Sequence, residues 1–143
     1  GAITITIGGT GNIYGSWSIT EFSDVDTTGT NGSGAIVQSA SNSDDATNTG
    51  ITVTLAAFNS VDNATYGAAR TLGDSTAKIS QGTGFSELGE NAGADTDFEA
   101  QWRNDNDTSV DWTWASTTSV TRGVAVEIRF ASGANLDLTS KIW

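Results

Sequence analysis

A chain of 143 residues holds six basic and seventeen acidic side chains, a net charge of −11, and neither Cys nor His. Disulfide scaffolding, thiol chemistry, zinc–thiolate sites and a serine triad are therefore excluded, and so is any Lys/Arg cluster suited to nucleic acid or an anionic membrane. Thr, Ser, Gly and Asn dominate, no long window repeats every 3.6 residues, and the apolar runs are far too short to span a bilayer; a single all-β domain over 1–143 follows.

In chain order, Ala2 to Ile7 alternates Ile3, Ile5 and Ile7 with threonine and reads as a strand. Ile13 to Phe22 reads as a second, covered in part on both faces. Ser23 to Gly34 is a polar loop containing Asn31-Gly32, Ala35 to Ala40 a short strand, and Ser41 to Gly50 another loop. Ile51 to Phe58 alternates strongly. Ala64 to Leu72, rich in small residues, and Ile79 to Leu88, flanked by glycines, are weaker strands.

Phe98 to Phe130 is the segment that the rest must pack upon. Phe98, Ala100 and Trp102, then Val110, Trp112 and Trp114, then Val124, Val126, Ile128 and Phe130 recur at every second position. Glu99, Gln101 and Arg103, Asp111 and Thr113, and Glu127 and Arg129 alternate with them, which assigns these to water. We expect three successive strands in an antiparallel meander, with Asn104 to Asp107 as a hairpin turn. A last strand is expected within Ser132 to Trp143. Eight to ten short strands at roughly ten-residue spacing predict a two-sheet antiparallel β-sandwich of jelly-roll or Greek-key type.

The blocks WSITEFSDVDTTGTNGSGAIVQSA, VTLAAFNSVDNATYG and GTGFSELGE, followed by the acidic turn and GVAVEI, resemble in order a poorly characterised β-sandwich family of tailed-phage virion proteins and secreted bacterial surface proteins. The resemblance spans residues 16 to 130 and carries no catalytic signature. It implies a non-enzymatic structural subunit of a virion or other extracellular assembly, with a decorating, cementing or attachment role. Its partners would be further copies of itself, with other virion or cell-surface proteins or glycans in addition. Family members carry strands before the portion matching Ile3, so Gly1, which is not preceded by Met, reads as a processed or trimmed start.

Asp24, Asp26 and Asn31 offer oxygens to a hard cation such as calcium, but they lack the EF-hand spacing, and an Asx-stabilised loop is the favoured reading. No other cofactor is expected. Trp112 and Trp114 are read as core, with a sugar-stacking platform as the alternative, which would make the chain a secreted carbohydrate-binding or adhesion module. Glu87 with Glu90, or Glu99 with Glu127, offer a candidate glycosidase pair, and a solvated strand face explains them better. Ile3, Ile5, Ile7, Ile142 and Trp143 are expected at an interface between copies. A terminal alternating strand without Pro or Lys is an open pairing edge, and a terminal indole favours burial.

Overall fold

The computed structural model describes residues 17–72, 78–93, 96–118 and 120–131. Within them the chain is nearly all β, and two antiparallel sheets pack face to face. The strands are β1 (Ile36–Asp44), β2 (Asn48–Thr54), β3 (Ala64–Leu72), β4 (Ser80–Gln81), β5 (Ser86–Ala92), β6 (Thr96–Arg103), β7 (Ser109–Thr118) and β8 (Val120–Ile128). The larger sheet has the order β1-β8-β3-β6-β5 and the smaller β2-β7-β4. A 3-10 turn at Thr30–Ala35 lies in the expected polar loop. The strands expected over Ala2 to Ile7 and Ser132 to Trp143, with the interface residues Ile3, Ile5, Ile7, Ile142 and Trp143, lie outside the described residues. Of the segment Ile13 to Phe22, only 17–22 is described, and it joins no named strand of either sheet.

Alternation places the core of the smaller sheet as its sequence requires. Ile51, Val53 and Leu55 turn inward from and beyond β2, Val110, Trp112 and Trp114 from β7, and Thr52 and Thr54 face water. These side chains form the hydrophobic core together with Ile79, Phe85, Ala69 and Ala125. Trp112 is its largest fully buried member. A ring of that size needs thin walls opposite, and Gly67 of β3 and Gly123 of β8 supply them: a Cβ on Gly67 would lie 2.8 Å from Trp112 Cη2.

The meander does not form. β6 belongs to the larger sheet and β7 to the smaller, while β8 returns to the larger sheet between β1 and β3. The turn at Asn104 to Asp107 is therefore an arch between layers. Thr65 Oγ1 holds it open by donating toward the carbonyls of Asp105 and Asp107, at 3.0 and 2.9 Å. Arg103 ties its flanks through Asp105 at 2.6 Å and Asp107 at 2.7 Å.

The arch reverses the expected facing of two strands. Glu99 and Gln101 of β6 and Glu127 of β8, assigned to water from the sequence, are fully buried and point toward the smaller sheet. Phe98 and Trp102 are only half-buried, Val124 is 49% exposed, and both sides of β6 are covered, since Ala100 on the opposite face is also buried. The inner face of the large sheet must be built from small and polar residues because the indole of Trp112 already fills the interlayer space.

The open flank of the sandwich is closed by side chains. Gln38 of β1 accepts from Ala56 N at 2.9 Å and donates to Ala56 O at 3.0 Å, just past β2, and Asn42 donates to Thr52 O at 2.8 Å. Two amides thus serve backbone groups on the side of the β2 segment away from β7.

Candidate functional site

Among the described residues, a concave feature lies on the outer face of the large sheet. Residues 17–25 cross that face, and Val25 bridges Phe130, with Ala131 N donating to Asp24 O at 2.8 Å. Between this crossing and the sheet runs a groove of about 530 Å³, walled by Ile19, Phe22, Ile36, Tyr66, Val126 and Ile128. Phe22 and Tyr66 meet edge to face, with centroids 5.8 Å apart and planes at 88°. Among the described residues no charged side chain lines it, although the chain carries a net charge of −11. Ile19 and Ile36 are 40% and 48% exposed, and Val124 lies one same-face step along β8 from Val126. The sequence marked Phe22 and Tyr66 only as strand residues; what joins them is the path of residues 17–25.

The loop proposed for a cation is organised by its own hydrogen bonds. Asp26 Oδ1 accepts from Thr28 N at 2.8 Å, an Asx turn, and Arg129 approaches Oδ2 at 3.6 Å. The Thr28 hydroxyl and amide, aided by Arg129, hold the Asp26 carboxyl below its ordinary range. Asp24 and Asn31 both adopt φ 56°, the left-handed conformation that Asp and Asn tolerate, and Asp24 Oδ2 accepts from Ser23. Among the described residues no group of three acidic side chains gathers as a metal would require.

Trp112 and Trp114 are 1% and 5% exposed, and Trp114 Nε1 donates to Asn48 O at 3.0 Å. Neither presents a ring face to solvent, so the structure places them as the favoured core reading did, and a sugar-stacking role is not carried further.

The carboxylates once considered as pairs divide by environment. Glu127 is buried and satisfied, accepting from Asn63 Nδ2 at 2.5 Å and Gln38 Nε2 at 2.6 Å. Glu90 pairs with Lys78 at 2.8 Å, while Glu87 is exposed. Glu99 is buried with neither oxygen hydrogen-bonded, and the Trp112 N–H beside it completes no hydrogen bond either. Burial raises the Glu99 carboxyl to about 8; the neighbouring indole opposes that rise, and Glu87 and Glu90 add to it. The sequence reading missed this group because period-two alternation assigned it to the wet face.

Comparison with family models, curated proteins and solved structures returned no match, so the reading of the site rests on the chain itself.

Proposed function

We propose that this chain is a non-enzymatic structural subunit, a β-sandwich building block of a virion or other extracellular assembly in which it decorates, cements or attaches. The observation that supports this is the apolar groove on the outer face, where Ile19 and Ile36 remain 40% and 48% exposed beside the Phe22–Tyr66 pair, with Val124, 49% exposed, one step further along β8. An isolated soluble protein gains nothing from leaving such a groove in water, whereas contiguous apolar surface rimmed by polar side chains is how subunit contacts are made. The buried carboxyls Glu99 and Glu127 fit the same reading, being inaccessible to any substrate. Self-association is the direct expectation.

Light scattering across a concentration series tests it. The unaltered chain should scatter with the mass of a defined homomer or larger lattice, and Ile36→Asp with Val124→Asp should yield a folded species of lower mass. A wild-type monomer at every concentration would remove the proposal.

A further inference from the structure

Glu99 has a setting that nothing in an assembly role requires. It lies on the inner face of β6, opposite Glu90 of β5 in the cross-strand register. Its other neighbours on that face, Ala69 of β3 and Gly123 of β8, are uncharged, as is Trp112 on the facing sheet. Among the described residues, the charged groups around it are Glu87 and Glu90 on β5, Asp97 two residues along β6, and Lys78, already committed to Glu90. Ionising Glu99 would therefore place a further carboxylate in the interior against one occupied lysine, with neither oxygen hydrogen-bonded and the Trp112 indole N–H as its neighbouring donor.

The edge beside Glu99 is sparsely paired. β4 pairs with β7 at two positions, Ser80 with Thr113 and Gln81 with Trp112. Among the described residues β5 is the edge strand of the large sheet, and its pairing with β6 is interrupted by an irregularity between Glu87 and Gly89. Residues 78–92 thus form a flap that contributes Ile79 and Phe85 to the core and also buries Leu88. An edge paired this sparsely opens more readily than the central strands.

We propose that Glu99 is a proton-held latch: the flap formed by β4 and β5 closes over this carboxylic acid with its proton in place, and opening of that edge is coupled to release of one proton to solvent. Closed, the acid is neutral and tolerated among apolar neighbours. Open, it is hydrated and ionises as an ordinary glutamate. The sign follows from linkage: the closed state binds the proton and the open state does not in the window between 4.5 and about 8. Through that window the open population rises with pH by up to about tenfold per unit, and above it the dependence levels off. Falling pH therefore locks the edge, and rising pH exposes β5, the Leu88–Phe85 side chains and the face of β6 to a partner.

Two measurements on the intact chain test this. Carbon-13 NMR should show the Glu99 carboxyl titrating near pH 8, far above exposed glutamates. Amide exchange, corrected for intrinsic rates at pH 5.5, 6.5 and 7.5, should show a flap-opening constant that climbs by up to about tenfold per unit in the wild type. It should be flat in Glu99→Gln and still climbing in Glu87→Gln, with the β1–β8 amides unaffected in all three. A Glu99 carboxyl that titrates in the ordinary glutamate range overturns the proposal. So does a flap constant independent of pH in the wild type, or one that climbs equally in Glu99→Gln. Should Glu99→Gln fail to fold, the wild-type titration and exchange slope decide alone.

Discussion

Gly67 lies directly under the six-membered ring of Trp112: an added Cβ would stand 2.8 Å from both Cη2 and Cζ2, and 2.8 Å from Val110 Cγ1. The contact is between the two layers, so it sets their spacing at the centre of the sandwich. Gly67→Ala should therefore destabilise by about 1–3 kcal/mol through overpacking. Trp112→Phe alone should cost a similar amount through the space it leaves, yet the pair together should cost less than the sum. Urea midpoints of the two single variants and the double variant measure that coupling, and strict additivity would contradict the packing described.

A second prediction concerns the buried amide–carboxyl cluster. Glu127 receives hydrogen bonds from Asn63 and Gln38, and Gln38 also holds Ala56 N and O. Asn63→Ala should cost about 1–3 kcal/mol because it strips a partner from a fully buried acceptor. Gln38→Ala should cost at least as much, since it also frees backbone groups beyond β2. Chemical denaturation followed by tryptophan fluorescence reads both, and amides near Ala56 should lose exchange protection in Gln38→Ala but not in Asn63→Ala.

The arch clamp is more exposed and should be weaker. Arg103 bridges Asp105 and Asp107 while lying 5.9 Å from the Phe85 ring centroid, with its side chain 30% exposed. Arg103→Lys keeps the charge but loses the planar fork, and should cost on the order of 0.5–1 kcal/mol in dilute buffer. Raising the salt to molar levels should shrink that difference. A loss that grows with salt would place the effect in packing against Phe85 instead.

The loop at Asp24 to Asn31 should behave as an Asx turn. Chelator should leave the melting curve unchanged, and Asp26→Asn should lower Tm modestly at pH 7. Because the folded-state carboxyl of Asp26 is held below its ordinary value, its contribution is present above the unfolded carboxylate range and is lost as pH falls through the lower folded value. The wild type and Asp26→Asn should therefore converge in acid. A chelator-dependent Tm that vanishes in Asp26→Asn would instead make Asp26 a cation ligand.

What the sequence determined on its own was the β class and the alternating strands whose apolar face is unambiguous. Val110, Trp112 and Trp114 are bulky on one side and polar on the other, as are Ile51, Val53 and Leu55, and burial of area leaves such strands a single choice. For β6 and β8 the alternation was equally clear, yet the facing came out reversed. A period of two distinguishes two faces; it does not say which one meets the second sheet when both are covered. That was decided by Trp112, whose volume leaves room opposite only for Gly67, Gly123 and their small or polar neighbours, drawing Glu99 and Gln101 inside. Turn chemistry was local in the same way. The Asn/Asp run at 104–107 specifies that the chain reverses, and whether the next strand pairs beside β6 or crosses to the other layer depends on Thr65, Arg103 and the packing of the sheets, contacts that exist only once the distant strands have met.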